Sequence, residues 1–292
     1  MLRTHTGTPR VEVVRADVVD GDRVDVVVSV TATRDVLVDV GEVELVRTLA
    51  LTRRERTWNG AGYTASGRTE TVLGRVHLDA PGTLAPGQAC HVHAVVPVPV
   101  PATGEASVAG RLVQQQYAVR VRFRAGTHLL EAAREVHVPC APDPAGLAEG
   151  AAVVDDQGIA VLGVEDLPQL RLYGGVPVRG TVTVTPLVAG HARRVRVDLL
   201  MTEHVSAAPG EPLQEDLDTS TVIASVTPAE HLEQAPGRTL RLPFTLHVPE
   251  RLPAPSLRTP DFRVRWVLQV VLDRALRRDP RVTLEVPAAT TS

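Results

Sequence analysis

The chain has 292 residues, about twice the length of a typical domain, so two domains are expected. Hydrophobic residues make up 43% of it but aromatic residues only 3%, and isoleucine occurs only at Ile159 and Ile223, so the dominant valine favours strands. Every basic residue is arginine, which excludes mechanisms that need a Schiff-base or P-loop lysine. The net charge of −3 predicts no nucleic-acid partner.

The first ten residues lack the apolar centre of a secretory signal. No apolar run approaches the ~20 residues that a membrane-spanning helix needs, so no transmembrane segment is expected. We therefore expect a cytoplasmic protein. Its two cysteines, Cys90 and Cys140, are too few for a disulfide framework and are expected to stay reduced.

Alternation of apolar and polar side chains predicts the strands, because every second residue of a strand points to the same face. In the first half this pattern covers residues 24–30 and 117–123, and in the second half residues 176–184, 195–199 and 266–272. Proline and glycine clusters separate these segments at short intervals. The pattern predicts an all-β fold of antiparallel sandwiches.

Helical signals are few. Residues 227–230 have the spacing of a capping box with a proline at the first helical position, which predicts one short helical turn. Residues 129–135 have helix-forming composition but lie between strand patterns, so we expect a hairpin tip there. Long loops are expected near residues 53–70 and 205–220.

The two halves contain an internal repeat. Residues 71–99 align with residues 221–249 without a gap, at a constant offset, and share the motif Ala-Pro-Gly and the ending Val-Pro. The alignment also preserves the predicted buried face, since Cys90 and Val92 fall on Leu240 and Leu242. The repeat predicts two copies of one sandwich.

An acidic segment rich in proline, alanine and glycine lies between the copies. We therefore expect an N-terminal sandwich over residues 1–140, a linker over residues 141–156 and a C-terminal sandwich over residues 157–292.

With these features the chain resembles the arrestin-like family. The resemblance lies in residues 243–249 and 262–272 of the second half, and in residues 95–101 and 117–123 of the first. Bacterial sporulation-control arrestin-like proteins are similar in size. The resemblance implies two tandem immunoglobulin-like sandwiches and a non-enzymatic scaffold or adaptor that binds other proteins and regulates a stress or developmental pathway. No receptor-binding residues of animal arrestins match here.

Three histidines are candidate metal ligands: His91, His93 and His137. A His-x-His pair on a strand presents two imidazoles from one face, as in the metal site of cupins. However, no acidic ligand follows within residues 94–104, and the pair takes the outward parity. We therefore predict no metal and no cofactor, and keep a metal-dependent, cupin-like β-barrel enzyme as an alternative.

Exposed cations and aromatics are the candidates for partner binding. The arginine stripe Arg120, Arg122 and Arg124, and the pair Arg263 and Arg265, can form a basic surface for an anionic partner, or can pair with acids on neighbouring strands. Trp58 and Tyr63 flank a glycine-rich turn and are candidate aromatic anchors.

No catalytic motif for a serine hydrolase, a zinc protease, a dinucleotide site or a P-loop is present, which favours binding over catalysis. We expect protein partners to dock at strand edges, at the two long loops and in a groove between the domains. A structural protein that self-assembles through its sheet edges is a second alternative. The partner, the pathway and the oligomeric state are left open.

Overall fold

The computed structural model describes residues 9–19, 23–57, 60–79, 82–98, 106–140, 153–154, 158–167, 171–275 and 279–290. Within these residues all the regular secondary structure consists of strands. No helix in that part is long and apolar enough to cross a membrane. The strands are β1 (Arg10–Val19), β2 (Arg23–Thr31), β3 (Val36–Arg56), β4 (Gly62–Leu78), β5 (Gly82–Leu84), β6 (Ala89–Pro97), β7 (Val108–Ala109), β8 (Val113–Ala125), β9 (His128–Val136), β10 (Val153–Val154), β11 (Ala160–Glu165), β12 (Val178–Pro186), β13 (Gly190–Val205), β14 (Gln214–Glu215), β15 (Leu217–Gln234), β16 (Leu240–Leu246), β17 (Leu257–Arg258), β18 (Phe262–Asp273) and β19 (Arg281–Glu285).

The two halves have the same strand order. In the first half a sheet β1-β2-β6 packs on a sheet β4-β3-β8-β9, and in the second half β11-β12-β16 packs on β15-β13-β18-β19. The short strands β7 and β17 pair with β8 and β18 in the two halves. All the strand pairings are antiparallel, so the predicted all-β fold of antiparallel sandwiches is confirmed.

Valine alternation builds the buried faces, as predicted. Val24, Val26, Val28 and Val30 of β2 are all fully buried while the residues between them lie on the outer face. One core lies wholly between the sheets of the first half, and a second core lies between those of the second half. The second core also takes in four residues of the first half: Leu51, Ala106, Val108 and Val113.

Two local secondary-structure predictions are wrong. Residues 227–230 are not helical but belong to β15, because pairing with β13 overrides the local capping signal. Pro228 fits there because the register of β15 shifts between Val226 and Ala229, and a proline is tolerated at such a bulge. Residues 129–135 are not a hairpin tip but form most of β9, after a turn at Gly126 and Thr127.

The expected loop over residues 53–70 is instead the upper part of a long hairpin, in which β3 and β4 pair as far as Arg56 and Gly62. The expected loop over residues 205–220 is shorter, since β13 continues to Val205 and β15 begins at Leu217. The predicted linker lies outside the described residues, apart from β10, which pairs with β11. The domain boundaries therefore stay a prediction.

Candidate functional site

The tip of the β3/β4 hairpin contacts the second half of the chain. β14 adds to the edge of β3, where Gln214 lies opposite Glu55 and Glu215 opposite Arg54. Arg56 forms an ion pair with Glu215 at 2.5 Å. The two regions that the sequence predicts as separate long loops are thus brought together at the junction between the halves.

The buried carboxylate of Glu203 also joins the two halves of the chain at this junction. Glu203 of β13 is 1% exposed and accepts hydrogen bonds from the backbone N–H groups of Arg111 (2.9 Å), Leu112 (3.0 Å) and Val113 (3.0 Å). These three donors belong to the turn that leads into β8 of the first half. Sequence reasoning did not identify Glu203, although it shares the buried parity of Leu199 and Met201, where a carboxylate requires hydrogen-bond partners.

A cleft of about 690 Å³ lies beside this junction and is lined by both halves. Its first-half wall includes Gln115, Tyr117 and His137, and its second-half wall includes Glu250 and Arg251. The Gln115 amide Nε2 donates to the Tyr117 hydroxyl at 2.8 Å and to the Ala106 carbonyl at 2.9 Å, which fixes this wall. The cleft lies where the sequence predicts a groove between the domains.

The surroundings of His137 in the cleft shift the pKa of its imidazole. Burial of the imidazole, together with the positive charge of Arg251, lowers the pKa of His137 below its ordinary value. Both causes favour the neutral ring, which can donate or accept a hydrogen bond at neutral pH.

The three candidate metal ligands are not brought together. His91 and His93 lie on the outer, exposed face of β6, opposite Ser29 and Val27 of β2, whereas His137 follows β9 and lines the cleft. Within the described residues, no group of three or more histidine, cysteine, aspartate or glutamate side chains is placed to hold a metal ion.

Two members of the arginine stripe are paired with acids. Arg122 contacts Glu44 at 3.2 Å, Glu131 at 3.1 Å and Glu42 at 3.7 Å, while Arg120 pairs with Glu70 and lies 3.8 Å from Glu131. Arg120 and Arg122 therefore pair with acids on neighbouring strands, which is the alternative to partner binding that the sequence also allows.

The other arginine candidates differ from one another. Arg263 pairs with Glu285 at 3.1 Å. Arg124 is exposed and Arg265 half-buried, and neither forms an ion pair with a described residue. Their role in partner binding stays a prediction.

Of the two aromatic candidates, Trp58 lies outside the described residues. Tyr63 is half-exposed at the start of β4, and its hydroxyl donates to Glu55 at 2.6 Å. This hydrogen bond and the negative charge of Glu55 raise the pKa of Tyr63. The ring remains available for contact while its polar end is occupied.

The two longest edge strands are β4 and β15, which occupy equivalent places in the repeat. Each carries three charged residues, but their positions differ. Those of β4 are Arg68, Glu70 and Arg75, whereas Asp218, Glu230 and Glu233 of β15 leave residues 219–229 uncharged, with Ser220 and Ser225 at the places of Glu70 and Arg75. Charged residues on an edge discourage pairing with another chain. A charge scan of the repeat would have found this difference from sequence.

No family model matches the chain, and no curated protein matches it. Among solved structures, it is similar to the sporulation control protein Spo0M from Bacillus subtilis, with 20% sequence identity and a TM-score of 0.36. The match covers 45% of this chain and 49% of that one, so it spans about half the length of the Spo0M structure.

Proposed function

We propose that the chain is a non-enzymatic arrestin-like adaptor of the cytosol that binds other proteins through two lobes, residues 1–140 and 157–292, joined by a linker. Its principal docking element is the edge of β15. The observation that carries the proposal is the run of eleven uncharged residues, 219–229, on an edge strand that pairs with β13 alone within the described residues.

An extended segment of a partner can add to such an edge through backbone hydrogen bonds. Half of the N–H and C=O groups of an edge strand point away from its neighbour, so they provide the donors and acceptors for this pairing. The β-branched residues Thr219, Thr221, Val222 and Ile223 keep this part of the strand extended. Binding of this kind needs few special side chains, which agrees with the lack of a catalytic motif.

The proposal is tested by placing a charge on the edge. Val222 is 56% exposed on β15, and its repeat equivalent on β4, Val72, is 43% exposed, so Val222→Lys and Val72→Lys form a matched pair. Proteins captured by the tagged chain from its own cells are compared for the two variants, and amide exchange of residues 219–229 is measured with and without the captured partner.

We expect Val222→Lys to lose a partner that Val72→Lys retains, and the bound partner to slow amide exchange in residues 219–229. The same partners on both variants, or no change in exchange, would contradict the proposal. The same uncharged edge also favours self-assembly, so light scattering over a concentration series is the accompanying measurement. Association that Val222→Lys abolishes would identify a second copy as the occupant of the edge.

A further inference from the structure

Three side chains form a row across the outer face of the first-half sheet. Val40 of β3 lies opposite Arg124 of β8, and Arg124 lies opposite Leu129 of β9. All three are exposed and point outward, since their chain neighbours Gly41, Phe123 and Leu130 are buried. Neighbouring strands are about 4.8 Å apart, so the row spans roughly 10 Å.

The apolar members of the row are unusually exposed. Leu129 is 65% exposed and Val40 is 58% exposed, the two highest values for a large apolar side chain among the described residues. Leu37, which is 52% exposed, extends the patch along β3 beyond the bulge at Asp39. Such side chains scattered singly are ordinary, but here they flank one cation on both sides.

Arg124 differs from the other arginines of its strand. In the next row, Arg122 lies between Glu42 and Glu131 and pairs with both. Arg124 instead lies between two aliphatic side chains and forms no ion pair with a described residue, including the exposed bulge residue Asp39. Its guanidinium donors therefore face solvent beside apolar surface.

At the equivalent position in the second copy of the repeat, the charge is paired within the chain. Arg124 follows the buried Tyr117 by the same interval as Asp273 follows the buried Trp266. Asp273 lies opposite Arg194, and the two form an ion pair at 2.9 Å. In the first copy the corresponding pair is Arg124 and Val40, so this copy has no internal counter-charge at that place.

We propose that the row of Val40, Arg124 and Leu129 is a docking surface for an amphipathic helix of a protein partner, with an acidic residue between two aliphatic residues on its contact face. The carboxylate pairs with Arg124, and the aliphatic side chains cover Val40 and Leu129. Side chains three or four residues apart on a helix are separated by about 5–6 Å, which matches the spacing across the row, whereas alternate residues of an extended segment are about 6.6 Å apart.

Charge argues against a second copy of this chain as the occupant. A two-fold contact through this row would bring Arg124 of both copies together near the axis, where like charges repel. The surface rests on the proposed adaptor role, but it lies in the other half from β15. Its test can therefore fail independently of the test on Val222.

The probe is a displayed library of stable helices with leucine at the first and eighth positions of the contact face and random residues at the fourth and fifth. The intact chain is expected to enrich aspartate and glutamate at the random positions. Arg124→Glu is expected to enrich arginine and lysine instead. Arg265→Glu, which changes an arginine of the second half without a described ion pair, is the matched control and should select as the unmodified chain does.

An enriched acidic helix is then measured against Val40→Ser and Leu129→Ser, each expected to weaken its affinity about tenfold, as Arg124→Glu also should. Both substituted apolar residues are exposed, so folding, followed by thermal unfolding, should be unchanged. Absence of acidic enrichment, or the same selection by Arg124→Glu, would overturn the proposal. Self-association that Val40→Ser abolishes would overturn it as well, by assigning the row to a second copy.

Discussion

Gly110 and Glu203 approach each other so closely across the junction that Gly110 has no room for a side chain. A Cβ atom built on Gly110 would lie 2.6 Å from the carboxylate carbon of Glu203 and 2.9 Å from the carbonyl oxygen of Val113. Glycine therefore lets the turn close around the carboxylate, and the three N–H groups of residues 111–113 reach its oxygens.

Substitutions at these two positions should be strongly coupled. Glu203→Ala removes the only acceptor that the described residues supply to three N–H groups, and we expect it to lower the free energy of unfolding by about 2–5 kcal/mol. Gly110→Ala forces the carboxylate away and should cost about 1–3 kcal/mol. In a double-mutant cycle by urea unfolding, Gly110→Ala should cost clearly less when residue 203 is alanine, although the contact with Val113 remains. Additive effects would contradict this direct contact between Gly110 and Glu203.

The ion-pair network on the first-half sheet predicts an unequal pair of substitutions. Glu44 is 1% exposed and pairs with both Arg75 and Arg122, whereas Glu285 is exposed and pairs with Arg263. We expect Glu44→Ala to cost about 1–3 kcal/mol and Glu285→Ala less than about 1 kcal/mol. Added salt should weaken the effect of Glu285→Ala more, because exposed pairs are screened more strongly. Equal losses from the two substitutions would show that burial does not distinguish these acids.

Trp266 and Tyr117 occupy equivalent places in the repeat but should respond differently to phenylalanine. The buried Trp266 indole N–H donates to the Ala254 carbonyl at 3.1 Å, so Trp266→Phe removes that hydrogen bond and opens a cavity. Its expected cost is about 2–4 kcal/mol, against about 0.5–1.5 kcal/mol for Tyr117→Phe, which loses the hydrogen bond from Gln115 Nε2 but keeps the ring and opens almost no cavity. Thermal unfolding should rank the melting temperatures as unmodified chain, Tyr117→Phe, Trp266→Phe. The reverse order would contradict this explanation of the two substitutions.

The lowered pKa of His137 predicts a pH dependence with a definite sign. Because burial and Arg251 favour the neutral imidazole, the folded chain binds fewer protons at His137 than the unfolded chain does. The stability that this site contributes is therefore present above the ordinary pKa of about 6.5 and is lost as the pH falls from there towards the lower pKa of the folded state. Titration of the His137 ring signals by NMR measures that pKa directly.

Arg251→Met is expected to raise the pKa of His137 towards its ordinary value, because it removes the nearby positive charge while keeping an apolar stem of similar length. Arg265→Met is the control and should leave it unchanged. A pKa that stays constant or falls in Arg251→Met would contradict the assignment of Arg251 as a cause.

Strand parity was readable from sequence because it is local. A residue and its second neighbour share a face whatever the rest of the chain does, so Val24 to Val30 reveal a buried face without reference to a partner strand. The duplicated strand order was also accessible, because the repeat preserves that parity in both halves. Residues 227–230 show the limit, since their capping signal is local too and yet pairing with β13 makes them a strand.

The candidate sites depend on register, which joins residues far apart in the chain. Whether an arginine of β8 faces solvent or an acid is decided by which residues of β3 and β9 lie opposite it, and the bulge at Asp39 places Val40 rather than an acid opposite Arg124. The contact between Glu203 and Gly110 likewise requires the two halves to dock in one orientation. The amino-acid pattern alone thus determined the strands and their buried faces. Only the tertiary structure decided which charges are neutralised and which remain exposed, because neutralisation is a property of neighbours in space.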